Sequence, residues 1–156
     1  MKIKGVKKLK ESVQTYTVVR DGEDPIVFTL KPADMKWFTE IVEAPTPRMI
    51  TRPGEPSFAD LKDPKYVQAK EAYDLKQSHY FIISSISATE GLEWEKVKME
   101  EPDTWVEFEN ELGEFGLLPN ETAGLFQAIT RANALDQDYI DSKRDDFLAH
   151  QALASA

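Results

Sequence analysis

Two histidines, a set of glutamates at helical spacing, a serine cluster and scattered glycines are the residues of this 156-residue chain whose types could carry chemistry. Acid–base work near neutrality draws on a histidine or on a carboxylate with a displaced pKa. His79 falls mid-helix beside Tyr80, where a partly buried, hydrogen-bonded structural imidazole is expected. His150 falls in the tail HQALASA, where a solvated ring is expected. With no cysteine and no third histidine, a metal site would have to consist of carboxylates alone, and no loop of alternating acids around a central glycine is present. Glu107, Glu111 and Glu114 share helix faces and could pair as carboxylates. No facing partner is apparent for them, so a solvated face is the expectation. No serine stands in a G-x-S-x-G elbow, and the serines of SSISATE read as capping and turn chemistry. The seven glycines are scattered singly, which gives no phosphate cradle. The residues therefore support no catalytic, cofactor or metal site, and a non-catalytic protein-binding domain is expected.

Charge placement narrows the partners. The formal net charge is −9, and residues 90–121 hold eleven acids against Lys96 and Lys98, so one segment carries the equivalent of the whole imbalance. Nucleic acid would be repelled from such a surface, because its affinity comes largely from lysine and arginine on phosphates. Either the segment is a solvated acidic helix face, or it docks a basic partner helix or the chain's own amino terminus, where residues 1–10 hold five lysines and no acid. Trp94 lies in the polar stretch TEGLEWEKVKMEEPDT, and tryptophan is enriched both at interface centres and in cores. Trp94, Trp105, Glu107 and Glu111 are the candidate protein-interaction positions.

The elements that would position these residues can be read along the chain. Thr15–Val19 and Ile26–Leu30 read as two strands around the turn-forming Asp21-Gly22 and Pro25, a β-hairpin. Met35, Phe38 and Ile41/Val42 follow at helical spacing and predict a short amphipathic helix before Pro45. Five prolines between Pro45 and Pro64 forbid helix and disfavour an internal strand, so a mobile linker or surface loop is expected. Asp63-Pro64 restarts order as N-cap and first helical residue of a helix running to about Ile86. Its apolar face of Tyr66, Tyr73, Tyr80, Val67, Ala69, Ala72, Leu75, Ile83 and Ile86 is expected to face the core. Thr104 and Glu107 read as a capping box, and Gly116 as the stop, of a helix whose narrow apolar face is Trp105, Phe108, Leu112 and Phe115. Another helix starts near Pro119 or Asn120 with Leu125, Phe126 and Ile129 on one side. The last, capped by Asp136, uses Tyr139, Ile140, Phe147 and Leu148.

The fold class expected is mainly α, or α+β with a small N-terminal β-hairpin, ending in an antiparallel helical bundle. The expected organisation is a hairpin plus short helix over 1–44, a proline-rich linker or loop over 45–62, a helical domain over 63–150 and a flexible tail over 151–156. No stretch approaches the ~18 apolar residues of a membrane span. MKIKGVKKLK is followed by polar ESVQTYT, which is not a signal peptide. The absence of cysteine fits a reducing compartment, so the cytosol is expected.

One order of segments goes beyond composition. Asp63-Pro64 and Tyr66 open a helix that ends in ISSISATEGLEWEKV, followed by EPDTWVEFENELGEFGLLPNE and RANALDQDYIDSKRDDFL. Its most characteristic pieces are Pro102-Asp103-Thr104-Trp105, the Gly116-Leu117 stop, and Ala132-Asn133-Ala134-Leu135-Asp136 before a helix ending at Phe147-Leu148. This pattern resembles the tail assembly chaperones of long-tailed bacteriophages, small acidic helical proteins encoded between the tail tube and tape measure genes. The resemblance covers roughly residues 63–150 and not 1–62. It implies a protein of the host bacterial cytoplasm, absent from the mature virion, that coats the aggregation-prone tape measure protein and recruits tail tube protein. It requires no cofactor, nucleic acid or membrane and leaves a homo-oligomer open. It also implies that a longer, frameshifted form could continue from ALASA. Two alternatives stand beside it. One is a structural virion protein, such as a tail completion or head–tail joining subunit. The other is an acidic inhibitory protein that mimics nucleic acid to block a host enzyme.

Overall fold

The computed structural model describes Lys4, residues 13–134 and residues 137–154, and for 137–140, 143, 146 and 154 the backbone only. The chain is α+β, 51% helical and 10% strand, and helices supply most of the buried side chains. It folds into two compact units, neither of them a continuous stretch of sequence. One comprises the described residues through Pro32, Ser85–Leu92 and those from Leu117 on, and the other Ala33–Ser84 with Glu93–Gly116. The helices expected as one carboxy-terminal bundle are thus shared between the two units.

In the first unit, β1 (Gln14–Val18) and β2 (Ile26–Leu30) pair antiparallel, with Tyr16 opposite Phe28 and Val18 opposite Ile26. Side chains alternate between the faces of a strand. One face therefore collects Tyr16, Val18, Ile26, Phe28 and Leu30, while Thr15, Thr17 and Val27 are exposed. Gly22 takes the left-handed conformation (φ 77°) that the turn needs and that a side chain resists. Helix α4 (Pro119–Ala132) packs on both strands and buries Leu125, Ile129 and Ala132, one stripe at spacings of four and three. Gly124 lies on that face because Tyr16 crosses it: a Cβ built there would overlap the Tyr16 hydroxyl. That hydroxyl donates to the Glu121 carbonyl at 3.1 Å, and the Glu121 carboxylate pairs with the Arg20 guanidinium. Glu121 also accepts the Leu118 N–H at 2.8 Å, which satisfies an orphan donor at the start of α4.

The free edge of β2 is covered by the SSISATE segment. The Thr29 N–H donates to Thr89 Oγ1 and the Lys31 N–H to the Ser85 carbonyl, both at 3.0 Å. Ser85 Oγ, fully buried, accepts from Asn133 Nδ2 at 3.0 Å. The expected capping role of these hydroxyls thus takes the form of closing an exposed strand edge, the usual site of unwanted pairing. Helix α5 (Gln137–Ala154) ends the described chain and runs through residues expected as a tail. Its expected N-cap Asp136, and the side chains of Tyr139 and Ile140, lie outside what is described.

The second unit contains α1 (Met35–Ile41), most of α2 (Pro64–Ile86), a 3-10 helix (Pro102–Glu107) and α3 (Phe108–Phe115). Asp34 caps α1 by accepting the Trp37 N–H at 3.2 Å. Its own N–H donates to Ser84 Oγ at 3.0 Å, and its carbonyl accepts from the Tyr80 hydroxyl at 2.8 Å. The core is aromatic: Tyr80 lies 5.1 Å from Trp105 and 5.5 Å from both Trp37 and Phe38, ring centre to ring centre.

Three expectations are corrected in this unit. The proline-rich segment contains a ladder, β3 (Met49–Ile50) against β4 (Phe58–Ala59). Its closing partner is Arg48, which reaches Asp60 at 2.8 Å across twelve residues. Thr104 and Glu107 form no capping box. Pro102 starts a 3-10 turn, so Thr104 lies inside it, and its hydroxyl accepts the Lys98 N–H at 2.8 Å and donates to the Glu101 carbonyl at 2.7 Å. Finally, α2 buries only its last turns. Tyr80, Ile83 and Ile86 are buried, whereas Val67, Ala69, Ala72 and Leu75 are exposed.

Candidate functional site

Each candidate position now has a place. Trp105 is fully buried among Phe38 and Tyr80, and its indole Nε1–H donates to the Lys98 carbonyl at 3.1 Å. As an interaction residue it is corrected to core, because a side chain with no accessible surface offers nothing to a partner. Glu111 has an internal role too. Its two carboxylate oxygens accept the backbone N–H groups of Glu95 at 2.5 Å and Val97 at 3.0 Å, clamping residues 95–97 to the side of α3. Glu107, half-buried, accepts from Asn110 Nδ2 at 3.1 Å. Trp94 is half-buried beside the clamp and keeps part of its ring at the surface.

The clamp defines a seam. The 93–97 segment runs along the flank of α3 that presents Glu111, and Lys96 reaches Glu114 at 3.1 Å one turn on. The next residue, Phe115, was expected on the core face with Leu112, yet it is 62% exposed while Leu112 is 4%. Its position explains this. Phe115 is the last residue of α3 before Gly116 turns the chain in the left-handed conformation (φ 109°), so the core stripe has run past the core. The adjacent stop glycine was the available signal.

The cations of this segment are already engaged: Lys98 with Glu101, Lys96 with Glu114 and, from α2, Lys76 with Asp103. Glu93, Glu95 and Glu100 have no ion-pair partner among the described residues. Part of the acidic excess of the segment is thus displayed at these three exposed glutamates. Replacing Glu111 by alanine leaves two N–H groups without an acceptor and should lower stability by about 1–2 kcal/mol. The urea midpoint measures it, and glutamine, which keeps one acceptor, should lose less.

His79 packs on the Phe108 ring at 5.4 Å. Burial lowers its pKa, and Glu109 offsets part of the shift. An unfolded histidine takes its proton near pH 6.5, whereas the folded one resists it. Stability is therefore unaffected above that value and declines as pH falls through it toward the lower folded value. The carboxylates of Glu121 and Asp60, held low by Arg20 and Arg48 respectively, add losses only below their own unfolded values of 4.5 and 3.8. Thermal melts between about pH 7.5 and 5.5 should show a decline that His79→Gln removes. An unchanged slope would contradict this assignment. His150 is exposed.

Exposed apolar side chains also lie on α5. Every described side chain from Arg144 to Leu153 is exposed, with Phe147 at 61%, Leu148 at 53% and Leu153 at 76%. Among the described residues no cluster of histidines and carboxylates is arranged to hold a metal, and no helix is long and apolar enough to cross a membrane. No family model, curated protein or solved structure matches this chain.

Proposed function

We propose that this chain is a non-catalytic protein-binding domain that acts as a bacteriophage tail assembly chaperone. In this role it works in the host cytoplasm, coats the tape measure protein, recruits tail tube subunits and leaves before the virion is complete. The observation that carries the reading is α5. From Arg144 on, every described side chain of this eighteen-residue helix is exposed, so its apolar residues there are uncovered. Phe147, Leu148 and Leu153 gain from being covered by a partner. The segment order over residues 63–150 supports the more specific identification, and the net charge of −9 would keep a coated client in solution.

The test is a triple substitution, Phe147, Leu148 and Leu153 each to serine, in the full chain. Near-ultraviolet circular dichroism should be unchanged, because none of the three is in the core, while capture of the long helical client is lost. Capture at the wild-type level would remove α5 from the binding surface.

A further inference from the structure

We propose that the open edge of β1 pairs antiparallel with β1 of a second copy of this chain, about a two-fold axis at Tyr16. The register of the hairpin locates that edge. The Thr29 N–H is used on Thr89 and the Lys31 N–H on Ser85, so these alternate residues turn their backbone groups away from β1. Residues directly opposite in an antiparallel ladder either exchange both hydrogen bonds or both turn away. Thr15, opposite Thr29, and Thr17, opposite Val27, therefore point N–H and C=O outward from the hairpin. These groups have no partner among the described residues. Natural sheets protect such an edge with lysine, proline, a bulge or a covering segment. Residues 85–89 cover β2 in this way. Residues 13–19 contain no charge and no proline, the register of β1 on β2 has no bulge, and Val13, Thr15, Thr17 and Val19 are all exposed.

Symmetry and charge select a second copy as the occupant. An axis at Tyr16 sets Thr15 opposite Thr17 of the other copy and Val13 opposite its Val19, so outward-turned groups meet outward-turned groups. Thr15 and Thr17 then exchange N–H and C=O in both directions, and their exposed β-branched side chains form cross-strand pairs. The ends match as well. Lys7, Lys8 and Lys10 precede Val13, and Lys10 lies within about 11 Å of it because three residues span no more. Asp21, Glu23 and Asp24, all exposed, follow Val19. Antiparallel pairing brings the lysine-bearing end of each copy to the acidic turn of the other, whereas parallel pairing would set lysines against lysines. Such a self-complementary two-fold contact is the commonest in soluble oligomers. A single strand edge covers less than the ~1,200 Å² of a standard interface, so the dimer dissociates on dilution. The inference goes beyond the chaperone reading and does not depend on it.

The experiment is sedimentation equilibrium of the full chain from micromolar to millimolar concentration, with amide hydrogen exchange followed by NMR on the same samples. The mass should rise from monomer toward dimer, and the Thr15 and Thr17 amides, unprotected when dilute, should become protected with it. Thr15→Pro removes an N–H that points away from β2, so the hairpin ladder is kept. It should weaken the dimer by about tenfold or more, since one hydrogen bond is lost in each direction. Circular dichroism checks its fold. A charge exchange decides the matter if proline perturbs the strand. Thr15→Lys with Thr17→Lys, and Thr15→Glu with Thr17→Glu, should each be monomeric because like charges face one another, while an equal mixture of the two should form a heterodimer.

A monomer at every concentration would overturn the inference. So would a dimer in which the Thr15 and Thr17 amides stay unprotected, a folded Thr15→Pro variant that dimerises like the parent, or lysine and glutamate variants that do not associate when mixed. Protection of those amides in a purely monomeric sample would put another segment of the chain on the edge and overturn it too. Client capture through α5 bears on the chaperone reading alone.

Discussion

Replacing Trp105 by alanine should be the most damaging single change in the chain, lowering stability by about 3–5 kcal/mol, the range for removing a large buried aromatic. The side chain has no accessible surface, lies 5.1 Å from the Tyr80 ring and 6.0 Å from the Phe38 ring, and donates to the Lys98 carbonyl. Alanine would leave a cavity bordered by those rings and a carbonyl without its indole donor. Since a folded domain is stable by only about 5–15 kcal/mol, the loss should be visible as a fall in the denaturation midpoint and in near-ultraviolet circular dichroism. Trp105→Phe keeps most of the volume and loses the hydrogen bond, so it should fall between the two. A Trp105→Ala variant that melts like the parent would contradict the aromatic core.

The second large effect should come from Gly124, where helix propensity predicts the wrong sign. Glycine inside a helix is disfavoured relative to alanine by about 0.8–1.0 kcal/mol, so alanine would ordinarily stabilise α4. Here a methyl group would overlap the Tyr16 hydroxyl and stand 3.0 and 3.2 Å from two of its ring carbons. The ring cannot simply swing away, because Tyr16 is paired opposite Phe28 in the hairpin and its hydroxyl is bonded to Glu121. Overpacking of this kind costs about 1–3 kcal/mol, so Gly124→Ala should destabilise on balance. Tyr16→Phe removes the oxygen that overlaps most, and the double variant should recover part of the loss. The two changes should therefore couple by more than about 0.5 kcal/mol in a double-mutant cycle. Independent effects would show that the close approach does not hold the hairpin and helix together.

These two residues also show what was legible in the sequence. Local chemistry could be read directly. Asp21-Gly22 marked the hairpin turn, Asp63-Pro64 the start of a helix that does end at Ile86, and Gly116 a stop. Features set by contacts distant in sequence could not be read. Gly124 looks like an indifferent helix glycine until Tyr16, more than a hundred residues earlier, is laid across it. The β3–β4 ladder depends on Arg48 meeting Asp60, a pairing that five prolines hide. Thr104 and Glu107 have the spacing of a capping box, but Pro102 starts its turn two residues earlier and changes the register.

The apolar spacing of α2 identified a helix correctly and its partner incorrectly, since periodicity reports a stripe and not what covers it. The same holds at the candidate site. Glu111 could be singled out by composition, but its clamp on the Glu95 and Val97 N–H groups exists only once α3 and residues 95–97 are side by side. Phe115, Phe147 and Leu148 are exposed although their spacing reads as a core face, because sequence does not separate apolar residues that pack from those that stay uncovered.

The central claim, that the chain holds a long helical client in solution, is tested most directly by co-expression with the protein encoded immediately downstream, followed by affinity capture of this chain. The account predicts that the downstream protein, insoluble when expressed alone, is recovered in a soluble complex with it. If the downstream protein stays insoluble and this chain elutes alone, the chaperone function is contradicted, and a subunit of the finished particle becomes the leading alternative.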